Sequence, residues 1–450
     1  VLDHFFTPGG DLYFVSDRSG WWNLYRAGRE QLQHHMDGLD AEVAQVEAVF
    51  PREAEFAGPL WRFRGPSFRV QPDGTILCSM YDPREGVPQL GLADPRNGQF
   101  LALTLPVSAL VGLSVAEAGD AVWGTFLSGS AKDPSRVVLA SAPDFQALLA
   151  APPAAWAPIQ KACSLPIDEG YLAVPQPIQF PTANERKAWA IVYPPTNKDF
   201  RAPDGDLPPL LVKIHGGPTS AASTAYNLQI QYWTSRGFTV ADVNYGGSTG
   251  YGREYRERLK GEWGIVDVED CTHIAAYLAS TGQVDANQLC IDGGSAGGYT
   301  TLACLAFKDV FKAGASHYGV SDLGALAADT HKFESRYLDS LIGAYPAEKD
   351  KYDQRSPINS IDSIRCPLVF FQGTEDKIVP QSQAEMMFNE MRTKGLETAL
   401  VLFEGEQHGF RQAQNIQRSL DGEYQFYAKV FGWKVPIDAD IVKMGSSVTY

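Results

Sequence analysis

The chain changes rhythm partway along. From the N-terminus to about Ala150, short runs of alternating or wholly apolar residues are broken by turn signals, and helical periodicity is scarce. Three stretches repeat one plan: Pro8 to Tyr25, Pro72 to Leu92 and Ala118 to Leu139 each open on a tight turn, run as a strand, cross a polar loop and return as a second strand. Of their spacings, about 65 and about 45 residues, the shorter falls within the period of about 40 to 50 at which propeller blades recur, and the longer holds an acidic insert around Met36 to Phe56. Each blade is a four-stranded sheet that needs a neighbour to bury its faces. The pattern predicts a partial β-propeller of about three to four blades over residues 1–165. An irregular antiparallel sheet domain is the competing reading.

Between about Ala151 and Pro181 the chain turns Pro- and Ala-rich, as in APPAAWAP, which predicts a linker or a crossing between domains. Beyond it, strand-length apolar runs alternate with helix-length segments. The runs are Leu210 to Ile214, Thr239 to Val243, Leu289 to Ile291, Ala313 to Ser316, Leu368 to Phe371 and Leu400 to Phe403. Among the predicted helices are Ile265 to Ser280, Gln381 to Lys394 and Gln414 to Phe431. Apolar strands spaced by helices imply an α/β fold whose doubly wound, mostly parallel sheet is covered on both faces. This second domain is assigned to residues 171–433, and residues 434–450 are read as a C-terminal tail.

Composition narrows the function. A chain of 450 residues exceeds what one core usually supports, and 44% hydrophobic with 20% charged residues describes an ordinary globular protein. The formal charge of −15 repels nucleic acid and anionic membrane, so neither is expected as a partner. No uninterrupted apolar window of about eighteen residues predicts a membrane span. Val1 to Gly10 carry no basic or apolar leader pattern, and the absence of a starting methionine leaves room for an upstream segment. The six cysteines are scattered, mostly in apolar runs, with no metal-ligand spacing, which suits free thiols in a reducing compartment and so the cytoplasm.

The chemistry centres on GGSAGG at 293–298, which places Ser295 in Gly-x-Ser-x-Gly between an apolar run and a helix-compatible segment, Tyr299 to Phe307. That is the setting of a nucleophile elbow, a strand-to-helix turn too sharp for flanking side chains. A serine hydroxyl needs a base to take its proton and an acid to orient that base. His408 in EGEQHGF follows the last strand, and Asp376 in QGTEDKIVP follows the one before, so serine, acid and base stand in the chain order this architecture uses. Glu375 is the alternative acid, but a shift of one residue points its side chain elsewhere. An oxyanion needs donors already in place. The N–H of Ala296 is one, and KIHGGP at 213–218 supplies the second from Gly217, with Gly216 as the alternative.

Other candidates carry less. Tyr245, opening NYGGSTGYG, belongs to a backbone turn or lines the pocket. Phe333 and Tyr337 stand four apart in a predicted helix and share a face, as core or as the wall of a side-chain pocket. His317 is assigned to packing near the site because chain order gives it no acid. His4, His34 and His35 are read as surface residues and His273 as a satisfied helix histidine. No metal and no organic cofactor are expected.

HGGP, NYGGSTGYG, GGSAGGY, QGTEDKIVP and EGEQHGF, in this order, resemble the prolyl oligopeptidase family of serine peptidases, in its acylaminoacyl-peptidase and dipeptidyl-peptidase-like branch. The resemblance is strong over residues 171–433 and looser before. It implies an α/β-hydrolase domain joined to a propeller that restricts entry to small peptides, with Ser295 as nucleophile, Asp376 as acid and His408 as base. Gly217 and Ala296 would supply the oxyanion N–H groups, His215 would stand where some relatives have a tyrosine, and Phe333 and Tyr337 would line the first specificity pocket. A family propeller has about seven blades, so the chain reads as the C-terminal part of a longer protein. An unclosed propeller exposes sheet edges, which favours self-association into a homo-oligomer. The glutamate pair that holds a substrate amino terminus in dipeptidyl peptidases has no equivalent here, and Ile378 replaces an asparagine of those relatives, which argues against removal of N-terminal dipeptides. The implied activity is hydrolysis of short peptides through an acyl-enzyme. A carboxylesterase with the same triad and a non-catalytic scaffold are the rivals.

Overall fold

The computed structural model describes residues 3–36, 46–59, 67–103, 114–329, 332–437 and 439–450. It divides into two compact units, the first made of residues 1–169, 223–227 and 249–256, the second of 170–222, 228–248 and 257–450.

Among the described residues the first unit contains three four-stranded antiparallel sheets. They are β1 to β4 (His4–Phe6, Leu12–Ser16, Asn23–Ala27, Glu47–Ala48), β5 to β8 (Phe68–Val70, Ile76–Tyr81, Pro88–Asp94, Gln99–Ala102) and β9 to β12 (Ser114–Ala118, Ala121–Ser128, Arg136–Ala142, Ala157–Lys161). In each sheet spatial order follows chain order, as in a propeller blade. One core joins Val15 and Leu24 of the first sheet to Ile76 and Cys78 of the second. Another joins Leu90 and Leu92 of the second to Val122, Phe126 and Val138 of the third. No blade could bury these residues alone, which is why the repeat is needed. Helices α1 (Arg29–Met36) and α2 (Phe145–Leu149) are added. Residues 249–256 join the unit through polar ties: Glu55 accepts from the N–H groups of Trp22 and Gly252 at 2.8 and 3.0 Å. Asp17 accepts from Arg253 and Arg256, each at 2.6 Å. Residues 37–45 of the expected acidic insert lie outside the described residues.

The second unit is built on a nine-stranded sheet in the order β13-β14-β16-β15-β17-β18-β19-β20-β21. Its strands are Gln176–Pro181, Lys187–Tyr193, Leu210–Ile214, Thr239–Asn244, Leu289–Gly294, Ala313–His317, Leu368–Gly373, Thr398–Phe403 and Ser447–Thr449, numbered in chain order. β13, β14 and β16 pair antiparallel, and all other pairs are parallel. The helices are α3 (Leu228–Thr234), α4 (Gly252–Glu257), which begins in the first unit, α5 (Val266–Ser280), α6 (Ala296–Phe307), α7 (Leu323–Asp329), α8 (Tyr337–Leu341), α9 (Lys349–Arg355), α10 (Gln381–Thr393) and α11 (Ala413–Phe431). α5, α6 and α10 pack on one sheet face through residues such as Ile274, Leu302 and Met387. α3 and α11 cover the other with Trp233, Phe426 and Tyr427. The chain leaves β15 toward β16 and then returns to β17 on its other side, so strand order reverses at β15 and β17. A crevice at the carboxyl ends of such strands is where this class of sheet binds ligands.

Two segments differ from expectation. Within the Pro- and Ala-rich stretch expected as a linker, residues 157–161 and 176–181 form β12 and β13, because extended Pro-containing chain suits an edge strand. Residues 434–450 are not a loose tail: Ile441 and Val442 are buried on the α11 face, and β21 adds a parallel strand beside β20.

Candidate active site

β17 ends at Gly294 and α6 begins at Ala296, so Ser295 alone makes the turn. Its φ of 58° and ψ of −122° put it outside the regions comfortable for an L residue, a strain of about 1 to 3 kcal/mol. The N–H of Ser295 donates to His317 O at 3.0 Å, and the N–H of Tyr299 donates to Ser295 O at 3.0 Å. The glycines are sterically required. A Cβ on Gly293 would stand 2.4 Å from the Gly297 carbonyl carbon, one on Gly297 2.2 Å from Ile214 O, and one on Gly298 2.6 Å from Gly319 Cα. Their absence of side chains lets α6 press against β15 and the end of β18.

Asp376 and His408 come from the loops after β19 and β20. The N–H groups of Ile378 and Val379 both donate to Asp376 Oδ1 at 2.9 Å. Gln372 Nε2 ties Gly373 O to Val379 O, at 3.1 Å each, and so closes the acid loop. This presents Oδ2 to His408 Nδ1 at 2.8 Å. A carboxylate only accepts, so the imidazole hydrogen sits on Nδ1, and Nε2 is left to accept the Ser295 O–H at 2.8 Å. The histidine loop is shaped by buried Glu406, which accepts from the N–H groups of Arg411 and Gln412 at 2.9 Å and from Asn415 at 3.0 Å. Burial would raise the Glu406 pKa, but these donors outweigh it and hold the carboxyl below its ordinary value. The ring of Tyr318 meets His408 edge-on, with centroids 5.0 Å apart.

The HGGP loop lies against the serine. A Cβ on Gly216 would stand 3.4 Å from Ser295 Cβ and 4.0 Å from Oγ. Gly217, next in line, is exposed with φ of +123°, a conformation that glycine supplies without penalty. Ala296 opens α6, so its N–H is one of those a helix start leaves without an intrahelical acceptor. His215 is tied into the loop: Nδ1–H donates to Gly216 O at 2.8 Å, and Nε2 accepts from Ser248 at 2.8 Å. Tyr245 stacks on His215 with centroids 4.4 Å apart and donates to Pro218 O at 2.7 Å. It is fully buried, which corrects the pocket-lining expectation. Tyr337 opens α8 and its hydroxyl meets Thr219 Oγ1 at 2.6 Å, next to the HGGP turn. Phe333 precedes that helix in a turn and is 83% exposed, so the two aromatics do not share a helix face.

Residues 224–434 match the model of the prolyl oligopeptidase family. The crystal structure of a puromycin hydrolase is 36% identical and superposes on 98% of this chain with a TM-score of 0.84. Residues 224–434, most of the second unit, therefore belong to the prolyl oligopeptidase family. A puromycin-hydrolysing peptidase of Mycobacterium tuberculosis is 38% identical over 94% of the chain, with a TM-score of 0.81. Among curated proteins, dipeptidyl aminopeptidase BIII of Pseudoxanthomonas mexicana is 30% identical over 292 residues, 62% of this chain. The acylamino-acid-releasing enzyme of Arabidopsis thaliana is 27% identical over 51% of it. The chain spans 42% and 30% of those two curated relatives, and 63% and 60% of the two solved structures.

Beneath the elbow lies a group of charges that the apolar reading of the strands passed over. Lys213 on β15, Asp242 on β16 and Asp292 on β17 are register neighbours. Lys213 Nζ meets Asp292 Oδ2 at 2.5 Å. His317 ends β18, and its Nε2 donates to Glu423 Oε2 of α11 at 2.9 Å. So His317 does have an acid, one that follows the His408 loop in the chain. The available signal was a lone charge in each of three central strands and a glutamate on the apolar stripe of α11, where Phe426 and Tyr427 are also buried. Among the described residues no helix is long and apolar enough to cross a membrane.

Proposed function

We propose that this chain is the catalytic part of a serine peptidase that hydrolyses short peptides and aminoacyl amides through an acyl-enzyme on Ser295. The observation that carries the reading is His408, placed 2.8 Å from Ser295 Oγ on one side and 2.8 Å from Asp376 Oδ2 on the other. In this reading Ser295 Oγ attacks the substrate carbonyl while Nε2 of His408 takes its proton, and Asp376 keeps the ring in the tautomer that leaves Nε2 free. The N–H groups of Ala296 and Gly217 receive the oxyanion, each such donor contributing about 3 kcal/mol to barrier lowering. His408 then returns the proton to the leaving amine, and a water repeats the sequence to release the acid. The sequence needs no metal or organic cofactor.

Similarity to puromycin-hydrolysing enzymes at 36% and 38% identity supports an aminoacyl amide as a test substrate. Six free cysteines support a reducing compartment such as the cytoplasm. The test is a peptide-library digest read by mass spectrometry, with puromycin and simple esters in parallel and Ser295→Ala as control. Cleavage of amides that disappears in the variant is expected. Turnover of esters alone would make it an esterase, and no turnover together with no fluorophosphonate adduct on Ser295 would overturn the catalytic reading.

A further inference from the structure

Asp292, His317 and Glu423 offer donor atoms that all lie within 4.8 Å of one another, as a divalent metal site would require. Two of their oxygens, Asp292 Oδ1 and Glu423 Oε1, are buried without a hydrogen-bond partner among the described residues. The Lys213 ammonium, already against Asp292, supplies a cation to the group and repels a second one. Burial opposes its charge, but the surrounding carboxylates, Asp292 first, raise its pKa above the ordinary lysine value, so it stays ammonium. The assembly therefore reads as an ion cluster rather than a metal site.

Its position gives it a use. The backbone carbonyl of His317 is the acceptor of the Ser295 N–H, the bond that ties down the strained turn. The imidazole of the same residue is held from below by Glu423 and from the side by Phe371, stacked with ring centroids 4.8 Å apart and 14° between planes. Glu423 belongs to α11, which starts five residues after His408. One carboxylate thus links the strand end that anchors the nucleophile to the helix that follows the base. Facing this pair are Lys213 of β15, Asp292 and Cys290 of β17, and Tyr427 of α11, with Asp242 of β16 next to Lys213 and Asp292. Leaving two carboxylate oxygens buried and unpaired is unfavourable, and an apolar pair would pack here at less expense.

We propose that His317 and Glu423 are positioning residues, a second histidine–carboxylate pair that holds Ser295 in register with His408. The inference rests on the peptidase reading, and the test separates the two. Labelling by a fluorophosphonate is followed on the full chain, resolving the maximum rate constant from the half-saturating probe concentration. Wild-type protein that does not label sinks the peptidase reading itself. If it labels, Glu423→Gln and His317→Leu should each lower the maximum rate by about tenfold or more, with half-saturation changed by less than about twofold. His317→Gln, which keeps an N–H donor for Glu423, should recover to within about threefold of wild type. Unchanged rates in Glu423→Gln overturn the proposal. So does equal loss in His317→Gln and His317→Leu, and so does failure of Glu423→Gln to fold, because the pair would then serve only the packing of α11. Stoichiometric uptake of Zn²⁺ or Mn²⁺ by wild type that is lost in Glu423→Gln also overturns it, in favour of a metal site.

Discussion

Glu375 and Asp376 are adjacent in the chain and face opposite environments. The Asp376 side chain is completely buried and meets His408, whereas Glu375 is exposed and its N–H donates to Glu406 O at 2.9 Å. Asp376→Asn should lower kcat by up to about 10,000-fold, since an amide presents the wrong partner to Nδ1–H. Glu375→Gln should stay within about twofold. Side-by-side amide hydrolysis rates check the pair, and equal losses would mean that the acid has been misassigned.

Gly297 has no room for a methyl group, because its neighbour Ile214 O is backbone and cannot rotate away. Gly297→Ala is expected to destabilise the protein by about 2 kcal/mol or more through overpacking. Gly237→Ala meets nothing within 4 Å and has only its φ of +92° against it, a cost of about 1 kcal/mol. Urea unfolding of both variants gives the comparison.

Buried carboxyls set the pH response of the fold. Burial raises Asp242 to about 7 against the pull of Lys213, and raises Asp267 to about 6 against hydrogen bonds from Thr300 and Gly264. Both folded values exceed the ordinary 3.8, so folding takes up protons. The stability they contribute is full below about pH 4 and is lost as pH rises through about 6 to 7. Asp17, lowered first by its bond to Arg253, acts in the other direction, but only below about pH 4. The melting temperature should therefore be higher at about pH 5.5 than at about pH 8. Asp242→Asn should flatten that slope, and a Tm that rises over this interval would contradict the assignment.

Tyr337 and Phe333 should separate in kinetics. Tyr337→Phe removes the partner of Thr219 beside the HGGP turn, and a loss of about 1 kcal/mol predicts kcat/KM lower by about fivefold. Phe333→Ala, on an exposed turn, should leave stability within about 0.5 kcal/mol. Steady-state rates with one peptide, together with melting curves, test both.

Much of the second unit is legible from local pattern. The helices expected at Ile265 to Ser280, Gln381 to Lys394 and Gln414 to Phe431 appear within one residue at either end, as Val266–Ser280, Gln381–Thr393 and Ala413–Phe431. The elbow is legible because a turn of one residue between strand and helix admits few side chains, and that demand is written in consecutive glycines. Strand β21 escaped because three residues, Ser447 to Thr449, carry too little periodicity to distinguish them from a tail. The shared face of Phe333 and Tyr337 failed because spacing implies a face only where a helix exists.

Chain order and glycine spacing were enough to name Ser295, Asp376 and His408, since each requirement acts over a few residues. The partnership of His317 with Glu423, 106 residues apart, and of Lys213 with Asp292, 79 apart, leaves no such trace. Those contacts exist only once β15, β17, β18 and α11 have packed, because burial turns scattered charges into neighbours that must satisfy one another.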